Sequence, residues 1–84
     1  MEIRVAIFED NKLVREALEA ILNGTPGFNC TGAFSDGTSC VEKIRKSSPD
    51  VVLMDIEMPG PDGIEVTRQL SAHFPDIKIV IQTV

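Results

Sequence analysis

Cysteine is scarce in this chain, histidine scarcer, and no hydrophobic run is long. Cys30 and Cys40 are the two cysteines, too few and too separated for a disulfide framework or a four-ligand zinc site. They read as two buried or half-buried thiols in a reducing cytosol. The lone His73 falls near a predicted helix end, where it suits the helix dipole better than phosphate carriage. No apolar stretch approaches the roughly 20 residues that a membrane span needs. Glu2 and Arg4 interrupt the N-terminal apolar run too early for a signal peptide, and a cytoplasmic location is expected. Basic residues are also in deficit, 8 against 13 acids, for a net charge of -5. Electrostatics therefore give no support for nucleic-acid or anionic-membrane binding by this segment. With 84 residues, 43% hydrophobic and 25% charged, the chain is one small domain of ordinary globular composition.

What is present is a regular alternation of strand and helix. The apolar run Ile3 to Phe8 predicts a first strand. A helix is predicted from Lys12 to Leu22, with Asn11 as N-cap and Leu13, Val14, Ala17, Leu18 and Ile21 as its apolar stripe. Phe28 to Phe34 alternates like an edge strand with one wetter face. Thr38 to Lys46 reads as a second helix carrying Val41 and Ile44 inward, closed by Ser48-Pro49. The run Val51-Val52-Leu53-Met54-Asp55 predicts a strand buried on both faces. A third helix from Gly63 to His73 turns Ile64, Thr67, Leu70 and, just beyond it, Phe74 inward. Ile77 to Thr83 forms a fourth strand. Short connections between alternating elements imply right-handed crossovers and a parallel sheet covered on both faces.

Two strands end in acid: the first in Glu9-Asp10, the third in Asp55. Strand order 2-1-3-4 makes them neighbours and creates a switch point between them, where open α/β sheets bind ligands. Three carboxylates brought together repel one another unless a cation joins them. Hard oxygen donors suit Mg²⁺ best. A metal held by few protein oxygens leaves room for a phosphoryl group, which a carboxylate can attack to form an acyl phosphate.

The spaced set of Glu9-Asp10, Asp55, Met58-Pro59, Asp62-Gly63 and Thr83 resembles the receiver domain of bacterial two-component response regulators. The resemblance implies a flavodoxin-like doubly wound parallel sheet over residues 1–84, without the last helix, strand and helix of the full fold and without an output domain. It implies that Asp55 accepts a phosphoryl group from a histidine kinase or phosphotransfer protein. It implies Mg²⁺ held by Glu9, Asp10, Asp55 and the backbone carbonyl of Glu57, with Thr83 as the switch hydroxyl. Pro59 and Gly63 would shape the loop beside the phosphate, and Met58 would pack in the core. Val84 departs from the small residue usual at its position. The family's lysine and aromatic switch residue, on a fifth strand, are not among the 84 residues, so weak Mg²⁺ binding and poor switching are expected of this polypeptide. The segment Asn11 to Leu18 is similar to the helix-turn-helix class of regulators, implying control of transcription through an output domain. The domain is expected to assist its own phosphorylation rather than turn over substrate. The alternatives are an aspartate-nucleophile phosphohydrolase and a receiver-like interaction module that is never phosphorylated. Strand 4 ends the predicted sheet with an apolar edge, and two copies are expected to pair through it.

Overall fold

The computed structural model describes residues 1–82. Its elements are β1 (Ile3–Phe8), α1 (Lys12–Asn23), β2 (Phe28–Phe34), α2 (Cys40–Ser47), β3 (Val51–Asp55), α3 (Gly63–His73) and β4 (Lys78–Gln82). All strand pairs are parallel and the order is β2-β1-β3-β4, the order expected from the resemblance, which makes the acid-terminated strands neighbours. Thr83 and Val84 lie outside the described residues.

The core lies between the sheet and the α2/α3 layer. Ala6, Phe8, Val52 and Met54 point into it from the central strands, and Cys40, Ile44, Val66 and Leu70 meet them from the helices. These side chains are almost wholly withdrawn from water, each worth about 1.5–3 kcal/mol for the larger aliphatics. The opposite face is thinner. Val5 and Ile7 are buried there, but Val51 and Leu53 are only half-buried. Burial of β3 on both faces therefore holds for one face and only in part for the other, because α1 packs chiefly on β2 and β1.

That placement also corrects the stripe predicted for α1. Val14 and Leu18 are half-buried against the sheet, but Leu13 is 79% exposed and Ile21 63% exposed, and Ala17 faces water beside them. Helical spacing identified the apolar residues but the single neighbouring layer covers only one edge of them. A similar rotation occurs in α3. Ile64, expected inside, is 65% exposed, and Val66 takes the buried position together with Leu70. The cause is local: Gly63 lies against β3, so the next residue is turned outward.

Helix α2 begins at Cys40 rather than Thr38. Asp36 Oδ1 accepts hydrogen bonds from both the backbone N–H and the hydroxyl of Thr38, holding that segment in a turn before the helix starts. The β2 strand is the expected edge strand, but its alternation is interrupted. Val5 pairs with Cys30 and Ala6 with Gly32, so Thr31 is an extra residue with no partner in β1. The four alternating positions thus divide two and two between faces. Phe34 lies on the core face, 5.1 Å from Phe8 between ring centroids. At the other edge, β4 leaves Val80 and Ile81 exposed.

Candidate functional site

The site lies at the C-terminal ends of the two central strands, where β1 and β3 run side by side from Val5–Val51 to Phe8–Met54. The register therefore delivers Glu9 and Asp55 to the same level of the sheet. One donor oxygen from each of Glu9, Asp10 and Asp55 falls within 4.8 Å of the others. Glu9 and Asp55 are buried and Asp10 is exposed. The cleft they form is also lined by Asn11, Val14 and Glu57.

Two of the three acids, Glu9 and Asp55, are held by backbone. Glu9 N–H donates to Phe34 O at 2.9 Å, fixing the strand end to β2. Glu9 Oε2 accepts the Asn11 N–H at 3.0 Å, and Asn11 Oδ1 in turn caps α1 by accepting from Val14 N–H at 3.1 Å. Asp55 Oδ1 accepts the Glu57 N–H at 3.1 Å. The loop beyond Asp55 is tied to α3 by Gly63 N–H donating to Ile56 O at 2.9 Å, while Asp62 caps that helix through Glu65 N–H. Met58 is buried in the core, as expected.

The electrostatics of the cluster are unbalanced. Glu9 Oε1 is buried and has no hydrogen-bond partner. Burial pushes the Glu9 carboxyl above its ordinary range; the Asn11 N–H opposes this, and the neighbouring Asp55 and Asp10 carboxylates add to the rise. A buried carboxylate oxygen without a donor costs free energy. Oxygen donors alone, one of them orphaned and several on one side of a polar cleft, form a set that fits a hard divalent cation with water positions to spare.

Of the residues expected at the site, Glu9, Asp10, Asp55 and Glu57 come together, and Thr83 lies outside the described residues. His73 is elsewhere, exposed, with Nδ1 2.9 Å from Gln69 O. Arg15 is a participant that the sequence reading missed: its Nη1 donates to Glu9 O at 2.8 Å. Its position one turn into α1, after the acidic loop, was the available signal. A larger and mainly apolar hollow lies at the other end of the sheet, between Met1, Ile3, Pro49 and Lys78. Its charged lining includes Glu2, Asp76, Lys78 and the exposed Arg4–Asp50 ion pair, whereas the acidic cleft gathers three carboxylates at the switch point. Among the described residues no helix is long and apolar enough to cross a membrane.

Comparison with known proteins agrees with this geometry. The family model for the response regulator receiver domain matches residues 5–84. The transcriptional regulatory protein DegU of Brevibacillus brevis is 39% identical over 83 residues, covering 99% of this chain and 35% of the relative. A protein-glutamate methylesterase/protein-glutamine glutaminase of Anaeromyxobacter dehalogenans is 44% identical over 79 residues, 94% of this chain but 22% of the relative. The crystal structure of the response regulator domain of Thermotoga maritima CheB superposes with a TM-score of 0.89 at 33% identity, covering 96% of this chain and 60% of that one. The chain spans about a third or less of the length of these two curated relatives. The parallel sheet, the acids at its switch point and these similarities together make this chain a member of the response regulator receiver family of two-component systems.

Proposed function

We propose that this domain accepts a phosphoryl group on Asp55, in a Mg²⁺-dependent reaction, from the phosphohistidine of a histidine kinase or phosphotransfer protein. The observation that carries this reading is the meeting of Glu9, Asp10 and Asp55 around a buried oxygen that has no partner. Glu9, Asp10, Asp55 and the Glu57 carbonyl would hold the metal. When bound, Mg²⁺ supplies positive charge that offsets both the clustered acids and the incoming phosphoryl oxygens.

The chain's own residues account for the remaining steps. Glu57 N–H engages Asp55 Oδ1, which orients the carboxylate and leaves Oδ2 to attack. The new bond is Oδ2–P; the P–N bond of the donor breaks and its electron pair leaves on the imidazole nitrogen. Thr83 is the proposed switch hydroxyl toward the phosphoryl oxygens. The output is proposed to be control of transcription in the whole protein, as suggested by DegU, a transcriptional regulatory protein by name. A cytoplasmic location and a non-enzymatic role belong to the same reading. Association of two copies through β4 is proposed from the exposed Val80 and Ile81 on that edge strand.

The test is intact-mass measurement of the full natural chain after incubation with acetyl phosphate. One phosphoryl group should be added with Mg²⁺ and not with chelator, and none should be added to Asp55→Asn. Equal labelling of the Asn variant would sink the proposal.

A further inference from the structure

Glu9 and Asp10 are carried by a three-residue loop between β1 and α1, and Arg15 holds every carbonyl of that loop. Its Nη1 donates to Glu9 O at 2.8 Å and, at a long 3.5 Å, to Asp10 O. Its backbone N–H donates to Asn11 O at 2.9 Å. The guanidinium is thus a cation beside the acidic cleft that bonds to backbone and leaves the carboxylates free. Other basic side chains, such as Arg4, Lys43 and Arg68, form ion pairs with carboxylates outside the cleft.

Three acids in one cleft push each other apart, and Asp10, being exposed, can swing toward water at little cost. A change of Asp10 rotamer leaves the backbone in place, but carrying the loop itself away from Asp55 requires the peptide planes at Glu9 and Asp10 to rotate. A guanidinium nitrogen bonded to the Glu9 carbonyl, with a longer contact to that of Asp10, opposes that rotation, and its charge offsets part of the repulsion at the same time. We infer that Arg15 is a positioning residue, clamping the Glu9 and Asp10 carbonyls so that the two side chains are preorganised for a divalent cation. This rests on the metal-binding reading above.

The inference makes a prediction of definite sign. A positive charge that is merely nearby repels Mg²⁺, so its removal would tighten binding; a clamp has the opposite effect when lost. In the full natural chain, Arg15→Met should weaken Mg²⁺ binding by about 5- to 10-fold, the upper figure being ~1.4 kcal/mol, as read by calorimetric titration with MgCl₂ alone. Arg15→Lys, which keeps the charge on a shorter side chain without the rigid guanidinium plane, should fall between, and it carries the comparison should Arg15→Met not fold. In the metal-free protein the Asn11 amide, which reports the Glu9 carboxylate, should exchange with solvent faster in Arg15→Met. A folded Arg15→Met variant with a Mg²⁺ Kd within twofold of wild type, or tighter, overturns the inference. A wild-type chain that binds no Mg²⁺ removes the metal reading; Asn11 exchange then decides by itself whether Arg15 clamps the loop.

Discussion

Gly63 and Asp55 are in contact closer than any side chain would allow. A Cβ built at Gly63 would fall far inside van der Waals contact distance of the Asp55 carbonyl oxygen and 2.7 Å from Ile56 Cα. The first turn of α3 therefore rests directly on the backbone that carries the proposed phosphoacceptor, and no flexible atom is available to give way.

Gly63→Ala should accordingly cost about 3 kcal/mol, at the upper end for overpacking, and should weaken both Mg²⁺ binding and phosphorylation by displacing Asp55. Gly60→Ala is the control. Gly60 has φ +75° with nothing near its absent Cβ, so the methyl adds backbone strain of about 1–2 kcal/mol and no clash. Urea denaturation separates the two by size, and Mg²⁺ titration separates them by kind: only the Gly63 variant should lose affinity.

Glu9 makes metal-free stability depend on pH. Its carboxyl is raised from an ordinary value of 4.5, chiefly by burial and further by Asp55 and Asp10. The folded state thus holds the proton more tightly than the unfolded chain. The Glu9 contribution to stability is complete below 4.5 and is lost as pH rises through the raised folded value. Glu9→Gln should remove this component, making the metal-free protein more stable than wild type at neutral pH. Saturating Mg²⁺ should reverse the ranking, since ligand at 100 times Kd adds about 2.7 kcal/mol to wild type and less to the variant. Melting curves at two pH values, with and without Mg²⁺, check this; a Glu9→Gln variant that melts below wild type without metal contradicts it.

Unequal covering of the two faces should appear as unequal sensitivity to truncation. Leu70 is fully buried under α3 and Leu13 is largely exposed on α1. Leu70→Ala should cost about 2–5 kcal/mol, and Leu13→Ala about 0.5 kcal/mol or less. Chemical denaturation of the two variants measures both; comparable losses would mean that α1 is packed as firmly as α3.

These contrasts mark what was legible in the sequence. Element order and the meeting of Glu9, Asp10 and Asp55 were readable, because apolar runs ending in acid report directly on central strands of a parallel sheet; the full strand order came as much from the family resemblance. Which side of each helix meets the sheet was less readable. Leu13 and Ile21 have correct helical spacing, yet their exposure depends on where α1 sits across the strands, which no local pattern encodes. Val66 was overlooked for Ile64 because the contact at Gly63 sets the rotation of α3, and that contact is made with Asp55 and Ile56 across the preceding loop, outside any helical pattern. Arg15 was missed for a related reason: its acceptors are carbonyl oxygens, which every residue possesses and no letter distinguishes. Thr83 was expected at the site and lies outside the described residues.

Thr31 is the position at which β2 carries one residue more than β1. Shortening the strand there by a single deletion would bring Cys30 and Gly32 into consecutive register without changing the partner of either. Elsewhere in β2 the same deletion would invert every side chain between it and the bulge. The edge strand therefore contains one site that can absorb a change of length. Relatives differing by a single residue in this strand can keep the same sheet, and an alignment forced through Thr31 without a gap would mispair half of it.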